Sequence, residues 1–385
     1  MALATIIRSG DVYSPGPIGN KDILCIGEKI VKIGAIADED VTRLNLKIQT
    51  VDATDCFVFP GFIDPHEHII GGSGERGFAS RSPQITLPEI VQGGITTVVG
   101  CIGTDIYSRN MPALLAQARE FNEEGITTFI YSGGYAVPPS TLTGNVRTDM
   151  ILISEVIGAG EMAISDFRGS QPTTWEIARV VADCYVGGSL TGKCGITHFH
   201  MGDSERGLDP LLDLCKNHDV CKDSLYPTHI NRNDRLLKQA AELTQQGYQF
   251  DMDTTDEKLT EELKKFVDWG GDLSRVTVST DASHTSPTTM WQEMVKVHKD
   301  LGWPWEKILP MVTTNTARIL KFHQKGKIEI DKDADFAVID KKTLRVKHVV
   351  ARGKIFIRDY EFVPDLQCMS HSNRKIGLHG QKKER

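Results

Sequence analysis

Two histidines, His66 and His68, stand one residue apart, directly after an apolar run that ends at Pro60 and Gly61. In an extended segment, residues i and i+2 project to the same face, so both imidazoles can aim at one point while Glu67 points away. Imidazole is the commonest protein ligand for zinc-like ions, and such an ion needs several donors. The pair alone fits two unrelated loop histidines equally well, so its interpretation depends on partners elsewhere in the chain.

Further histidines and carboxylates follow other apolar segments in the same way. They are Glu161, His200, His229 and Asp281. Each taken alone has an ordinary alternative, because a strand histidine often belongs to the core and an aspartate after a strand often caps a helix or forms a turn. Their recurrence at the ends of separate predicted strands favours one shared site. His198 lies two residues before His200 and could be taken for the ligand instead; we prefer His200 because it ends its apolar run.

This donor set predicts a centre for two divalent ions, with zinc the favoured ion. The predicted ligands divide into two sets that share a bridge: His66, His68 and Asp281 for one ion, His200 and His229 for the other, and Glu161 between them. Two such ions lower the pKa of a shared water, and Asp281 could accept its proton and pass it to a leaving nitrogen. The predicted reaction is hydrolysis of an amide-type bond by metal-bound hydroxide.

The elements that must position these residues lie between residues 57 and 323, where apolar strands alternate with helical stretches. Eight strands are predicted: Cys56–Asp64, Thr96–Ile102, Thr127–Ser132, Leu152–Glu161, Gly195–His200, Tyr226–Ile230, Tyr248–Thr254 and Val276–Asp281. The helices predicted between them include Met111–Glu124, Thr173–Tyr185, Leu208–Asn217, Asp234–Gln246, Glu257–Gly270 and Pro287–Leu301. Eight such alternations predict an α/β fold, a parallel (β/α)8 TIM barrel whose strand ends converge on one mouth. A doubly wound open sheet is the alternative fold.

Both ends of the chain have a different sequence pattern from the middle, because they consist of short predicted strands with alternating apolar and polar residues between turns. We therefore predict that residues 1–56 and 324–370 form one small β-sandwich domain, built from both chain ends and attached to the barrel of residues 57–323. The basic segment 371–385 is expected to be a frayed tail.

Composition limits the class of protein. The 385 residues are 40% hydrophobic and 25% charged, as in ordinary soluble globular proteins, and the net charge of −7 argues against nucleic acid or an anionic membrane as partner. The eight cysteines form no Cys-x-x-Cys pair and lie in apolar runs or predicted helices, which fits free thiols in a reducing compartment. Neither a signal peptide nor a run of transmembrane length is apparent. The expected location is cytoplasmic.

Four motifs are specific when taken together: Pro60-Gly-Phe-Ile-Asp-Pro-His-x-His68, Phe199-His-Met-Gly-Asp203, Pro227-Thr-His-Ile-Asn-Arg232 and Ser279-Thr-Asp281. With them the chain resembles the amidohydrolase superfamily, and most closely its isoaspartyl (β-aspartyl) dipeptidases, from the first strands to about residue 355. The resemblance implies a barrel with a two-zinc site, a dipeptide as substrate and assembly into a homo-oligomer.

The resemblance also implies a set of substrate contacts. Glu75 matches the glutamate that holds the substrate's α-amino group, and Thr104 matches a threonine that touches the substrate. Tyr135 matches the tyrosine that polarises the scissile carbonyl, while Arg168 and Arg232 match arginines that grip carboxylates. A β-aspartyl dipeptide carries two carboxylates and one ammonium, so two guanidiniums and one carboxylate would complement its charges.

One position departs from the family pattern. The usual bridging group is a carboxylated lysine at the end of strand four, but this chain has no lysine between Lys47 and Lys193. Glu161 supplies the same single negative charge on a shorter arm. It can bridge two ions only if the backbone comes closer, which Gly158 and Gly160 would permit. We therefore predict that Glu161 is the bridge.

Two other functions remain open at this level. The first is an amidohydrolase that acts on a cyclic amide or an N-acyl amino acid, with the same metal site but without the ammonium-binding Glu75 and the two arginines. The second is a non-catalytic scaffold of the same fold, which would be expected to have lost metal ligands. The ligands are all retained here apart from the lysine exchange, so hydrolysis of a β-aspartyl dipeptide is the preferred function.

Overall fold

The computed structural model describes residues 4–367, so the predicted tail, residues 371–385, lies outside the described residues. The strands of residues 4–367 are β1 (Ala4–Tyr13), β2 (Pro17–Ile26), β3 (Lys29–Gly34), β4 (Ile48–Asp52), β5 (Cys56–Pro60), β6 (Phe62–Glu67), β7 (Ile95–Gly100), β8 (Thr127–Ser132), β9 (Val156–Ile164), β10 (Ile196–Met201), β11 (Leu225–Thr228), β12 (Phe250–Asp253), β13 (Val276–Ser279), β14 (Phe336–Asp340), β15 (Val346–Ala351), β16 (Lys354–Arg358) and β17 (Glu361–Phe362). The helices of the same residues are α1 (Asp38–Arg43), α2 (Leu87–Gln92), α3 (Met111–Glu124), α4 (Val146–Leu152), α5 (Thr174–Thr191), α6 (Asp209–Asn217), α7 (Asp234–Thr244), α8 (Leu259–Asp268), α9 (Thr289–Leu301), α10 (Trp305–Ile308) and α11 (Thr314–Ile319).

The middle of the chain is a TIM-barrel-like α/β structure. Strands β6 to β11 form a parallel sheet in chain order, and β12 pairs with β13, also in parallel. The backbone N–H of Asp281 donates to His66 O at 3.1 Å and that of His68 donates to Ala282 O at 3.0 Å, so the segment after β13 returns to β6. The residues of strands β6 to β13 are almost all buried, as expected for parallel strands covered by helices. The predicted parallel α/β fold is confirmed in this respect.

The two chain ends meet in one nine-stranded sheet. Its order is β17-β16-β15-β14-β5-β1-β2-β3, and β4 pairs with β1. Ile7 and Val58 from the first part of the chain are buried in one apolar cluster with Phe336 and Val350 from the last part. The folding of this sheet as a sandwich, and the domain limits at residues 56, 323 and 370, stay predictions.

The predicted first barrel strand, Cys56–Asp64, is two strands that belong to different sheets. β5 pairs with β14 and β1 in the nine-stranded sheet, whereas β6 pairs with β7 in the barrel. The break falls at Gly61, where an added Cβ would lie 2.2 Å from the hydroxyl oxygen of Thr96. Only glycine fits this approach, so the chain passes from one sheet to the other at this residue.

The start of β6 is fixed by aromatic packing. Phe62 stacks on Trp291 of α9 with 5.2 Å between the ring centroids, and Trp291 stacks on Trp305 of α10 at the same distance. All three side chains are buried. Because β6 is only six residues long, this anchor also sets the position of the two histidines at its far end.

The sequence prediction of helix ends succeeds where capping residues mark the start and the end of the helix. α3 has the predicted bounds because the Asn110 side chain accepts from Ala113 N at 3.1 Å and Gly125 ends the helix in a left-handed conformation. α5 runs to Thr191, beyond the predicted end at Tyr185. An added Cβ on Gly188 would lie 2.6 Å from Gly195 Cα. This glycine therefore lets α5 pack closely against the segment before β10, and it does not end the helix. Among residues 4–367, every helix is too short or too polar to span a bilayer.

Candidate metal centre

Glu161 lies at the centre of the barrel mouth with each carboxylate oxygen facing a different pair of imidazoles. Oε2 is 3.2 Å from His66 Nε2 and 3.6 Å from His68 Nε2. Oε1 is 2.6 Å from His200 Nδ1 and 3.1 Å from His229 Nε2. The carboxylate is fully buried. The structure therefore brings together the residues predicted for the two ligand sets, with Glu161 between them.

Asp281 joins the first of these sets. Its Oδ1 lies 3.0 Å from His68 Nε2 and 3.4 Å from His66 Nε2. The Asp281 side chain keeps 19% of its surface exposed, whereas that of Glu161 has none. Asp281 is therefore the carboxylate of the cluster that a molecule entering the mouth can reach.

The backbone positions of these residues differ in detail from the sequence prediction. Glu161 was expected to end its strand, but β9 continues to Ile164, so Glu161 lies within it. An added Cβ on Gly160 would lie 2.7 Å from His198 O, and one on Gly158 would lie 2.3 Å from Ile196 O. Glycine at both positions lets β9 approach β10 closely, which supports the expectation that the backbone must adapt to the shorter glutamate arm.

A buried aspartate ties the first and last strands of the barrel together. Asp64 accepts from His66 N at 3.1 Å and from Thr280 N at 3.3 Å, and it also accepts from the Thr280 hydroxyl. Burial raises the pKa of Asp64 to about 7. These bonds place His66 and the residue after Thr280, Asp281, in a fixed relation.

Two carboxylates that the sequence analysis did not identify orient the second histidine pair. Asp253 Oδ2 lies 2.7 Å from His229 Nδ1, and Asp166 Oδ2 lies 3.0 Å from His200 Nε2. Asp253 is the last residue of β12 and Asp166 lies two residues after β9, and an acidic residue at such a strand end is the signal that could have revealed them. Carboxylates in this position commonly fix the tautomer and ring orientation of a ligating histidine.

Cys101 is the third group that the sequence analysis missed, because it was interpreted only as a free thiol within an apolar run. Its Sγ lies 3.6 Å from His68 Nδ1 in a fully buried position directly after β7. His198, in contrast, lies outside both groups of candidate ligands found among residues 4–367, as its rejection in favour of His200 predicts. Its Nδ1 lies 3.0 Å from Tyr226 O, and its ring stacks on Tyr131.

Carboxylates within the cluster favour positive charge on His66 and His229, whereas burial and the neighbouring His229 lower the pKa of His200. Burial alone would lower the pKa of His66, but the nearby Glu161 carboxylate outweighs it and raises that pKa well above its usual value. Burial of His229 is likewise outweighed by Asp253, which raises its pKa to about 9. Burial of Glu161 is outweighed by His66 and His200, so its pKa lies well below the usual range. The cluster is thus built around a buried anion that requires cations beside it.

These residues fit a pair of divalent cations. Two groups of donors share Glu161, and within each group the ligand atoms lie within 4.8 Å of one another: His66, His68, Cys101 and Glu161 in one, and Glu161, His200 and His229 in the other. Imidazole nitrogen with carboxylate oxygen is the donor set that zinc-like ions prefer. The fit rests on donor type, closeness and burial.

Replacing Asp253 with asparagine is expected to weaken binding of the ion held by His229 about 10- to 100-fold, because the imidazole loses the carboxylate that fixes its ring. Titration of metal-free protein with zinc in competition with a chromophoric chelator measures this change. The exposed Asp256, three residues on, provides the control, since Asp256→Asn should leave both affinities unchanged. Unaltered affinities in Asp253→Asn would show that the contact does not orient His229.

Tyr135 is the predicted substrate contact that lies nearest the cluster. Its hydroxyl is 2.7 Å from His200 Nδ1, and the side chain is almost fully buried. Burial, with Glu161 nearby, raises the pKa of Tyr135 well above 10. The hydroxyl therefore stays protonated at neutral pH and can donate a hydrogen bond.

The other predicted contacts lie at the rim of the mouth. Thr104 Oγ1 donates to Glu75 Oε1 at 2.8 Å, and Arg168 Nη1 lies 3.6 Å from the same oxygen. Arg168 is not free, because its Nε and Nη2 donate to Asp166 at 3.0 and 2.7 Å. Arg232 is half-buried, and its Nε has no hydrogen-bond partner among residues 4–367. The structure thus brings Glu75, Thr104 and Arg168 into contact, and both Arg168 and Arg232 lie close enough to Tyr135 to act on its pKa.

A sequence profile of the Amidohydrolase family matches residues 193–356. Among curated relatives, the imidazolonepropionase of Pseudoalteromonas atlantica is 30% identical over 138 residues, which are 35% of this chain and 34% of that protein. The dihydroorotase of Clostridium acetobutylicum is 35% identical over 112 residues, or 28% of this chain and 24% of that protein. The chain thus spans about a third or less of the length of these curated relatives.

Solved structures give a similarity over the whole barrel and sheet. The β-aspartyl dipeptidase of the thermophilic, keratin-degrading Fervidobacterium islandicum AW-1 is 38% identical, with a TM-score of 0.88 over 94% of this chain and 99% of that chain. A second structure of that enzyme, in complex with the dipeptide β-Asp-Leu, is 36% identical, with a TM-score of 0.87 over the same shares of the two chains.

Proposed function

This chain belongs to the amidohydrolase family, in the group of the β-aspartyl dipeptidases, and from that premise we propose that it is a metal-dependent hydrolase that cleaves the isopeptide bond of β-aspartyl dipeptides. The observation that carries the proposal is the position of Glu161, with one oxygen toward His66 and the other toward His200. Two ions held there would polarise a carbonyl group and lower the pKa of a water molecule.

The charges at the mouth complement this substrate. A β-aspartyl dipeptide has an ammonium group and two carboxylates. Glu75, exposed at the rim and held by Thr104, suits the ammonium. Arg232 has a guanidinium nitrogen without a partner among the described residues, and Arg168 is held in place by Asp166, so each is proposed to bind one carboxylate.

The chain's own side chains are proposed to guide the reaction. Tyr135 donates a hydrogen bond to the carbonyl oxygen as negative charge develops on it. Asp281, which is partly exposed beside His66 and His68, accepts a proton from the attacking water and returns it to the leaving nitrogen. Both groups lie against the candidate metal ligands, which is where bond cleavage must occur.

Turnover measurements on purified protein test the proposal. We expect hydrolysis of β-Asp-Leu, little turnover of the α-linked Asp-Leu, and two equivalents of metal per chain by mass spectrometry. Dihydroorotate and N-acetyl-leucine address the alternative hydrolase activities. Preferred turnover of either compound over β-Asp-Leu would contradict the proposal, and protein that binds neither metal nor dipeptide would favour a scaffold.

Replacing Tyr135 with phenylalanine is expected to lower kcat on β-Asp-Leu about 10²- to 10³-fold, because the oxyanion loses a preorganised donor. Metal content should stay at two per chain, since the tyrosine is not among the proposed ligands. Tyr185→Phe, on the exposed face of α5, is the matched control and should match wild type. A wild-type rate in Tyr135→Phe would remove its role as the donor.

Finer properties belong to the same proposal. The nitrogen and carboxylate donors support zinc as the metal. Buried free thiols, such as those of Cys25 and Cys184, support a reducing, cytoplasmic location. Exposed Trp175 and Leu190 on α5 support a homo-oligomer, and the buried cluster shared by both chain ends supports the small β-sandwich. Elemental analysis and light scattering test the metal and the assembly.

A further inference from the structure

Three large aromatic side chains, Phe78, Tyr107 and Phe167, are almost entirely exposed, at 86%, 87% and 92%. They lie in the loops that follow β6, β7 and β9, at the end of the barrel that carries the candidate metal ligands. Single exposed apolar residues are ordinary, but several around the rim of one pocket mark a binding surface.

Each ring lies close in sequence to one proposed substrate contact: Phe78 follows Glu75 by three residues, Tyr107 follows Thr104 by three, and Phe167 directly precedes Arg168. The contacts themselves meet, because Thr104 and Arg168 both approach Glu75 Oε1, at 2.8 and 3.6 Å. The three loops therefore converge where the charged part of the substrate is proposed to bind.

Buried and paired groups hold the first two loops together. Arg109 is only 6% exposed, and its guanidinium donates to Ile70 O at 3.0 Å and to Ser82 O at 2.7 Å. Arg81 also pairs with Asp105 at 3.7 Å. The loops that carry Phe78 and Tyr107 are therefore already held in place. A ligand that covers these rings would lose little additional conformational entropy in ordering the loops.

We propose that Phe78, Tyr107 and Phe167 form an apolar subsite for the side chain of the residue that follows the β-aspartyl group. The enzyme would then prefer substrates in which this residue is large and apolar. The inference rests on the proposed function and deepens it. Phe167 directly precedes Arg168, which is proposed to bind one substrate carboxylate, so the second residue held there by its carboxylate would have its side chain beside this ring.

The test compares kcat/KM for β-Asp-Phe and β-Asp-Gly in wild type and in the triple variant Phe78→Ala, Tyr107→Ala, Phe167→Ala. Wild type should prefer β-Asp-Phe about tenfold or more, which corresponds to about 1.4 kcal/mol. The triple variant should lose most of that ratio through a higher KM for β-Asp-Phe, because the rings contribute binding before the chemical step. Ile330→Ala, which removes an apolar side chain that is 58% exposed before β14, should leave kcat/KM for both substrates unchanged.

An unchanged substrate ratio in the triple variant would overturn the inference. So would an equal loss on both dipeptides with a change of mass in light scattering, because the rings would then belong to an interface. If the triple variant does not fold, the three single variants carry the test, each with a smaller fall in the same ratio. Wild-type protein that cleaves neither dipeptide would instead remove the proposed function, and this inference with it.

Discussion

Glu161→Ala is expected to lose both metal ions and to lower kcat/KM on β-Asp-Leu by about four orders of magnitude or more, the largest effect of any single change in the cluster. Its two oxygens are the groups that face both histidine pairs, at 3.2 Å from His66 and 2.6 Å from His200. Without this anion the site loses the negative charge that lies between the two histidine pairs and would be set against two cations. Metal content after dialysis, measured with the rate, checks the result.

Two further variants separate the bridge from general damage. Glu161→Gln keeps the side-chain volume and removes the charge, so it should lose metal as Glu161→Ala does. Glu155→Ala, just before the start of β9, breaks a partly exposed pair with Arg119 and should keep both ions. Zinc should raise the melting temperature of wild type and of Glu155→Ala but not of the Glu161 variants. Two ions per chain in Glu161→Ala would show that the bridge is elsewhere.

Asp281→Asn is expected to lower kcat about 10³-fold, within the range for loss of a general acid and base. Asparagine fills the same space beside His66 and His68, but it can neither accept a proton from water nor return one to the leaving nitrogen. Binding of the ion held by His66, His68 and Glu161, which lies beside Asp281, should be weakened less than the rate. Pre-steady-state turnover of β-Asp-Leu at saturating zinc measures the chemical step.

The exposed Asp203, in a loop after β10, supplies the comparison for this change. Asp203→Asn should turn over substrate within about twofold of wild type, as surface substitutions usually do. If Asp281→Asn is as active as Asp203→Asn at saturating zinc, Asp281 is not the proton carrier, and a different group must protonate the leaving nitrogen.

The candidate ligands could be predicted from sequence because their signals are local. His66 and His68 share a face by strand periodicity, and His200, His229 and Asp281 lie at or just after strand ends. The position of Glu161 was less predictable, since a charged residue usually ends a buried strand. β9 continues past it because Met162 and Ile164 are buried in the core, while the surrounding imidazoles stabilise the buried charge.

The partners of these ligands could not be predicted, because they arise from pairing between distant segments. Asp253 reaches His229 and Asp166 reaches His200 only after the barrel has formed. The same holds for Arg168. Two nitrogens of its guanidinium group, which was expected to bind a substrate carboxylate, already donate to Asp166. A sequence pattern identifies which residues face the mouth but not which nitrogen of an imidazole remains open.

The proposed glutamate bridge would also determine what the protein needs in order to mature. A carboxylated lysine is a carbamate, formed by reversible reaction of an amine with dissolved carbon dioxide, so its assembly depends on that gas as well as on metal. The carboxylate of Glu161 is encoded in the chain and is present as soon as the barrel folds. Metal-free protein should therefore regain its ions equally fast in degassed buffer and in bicarbonate, and its activity should be indifferent to the carbon dioxide content of the cell.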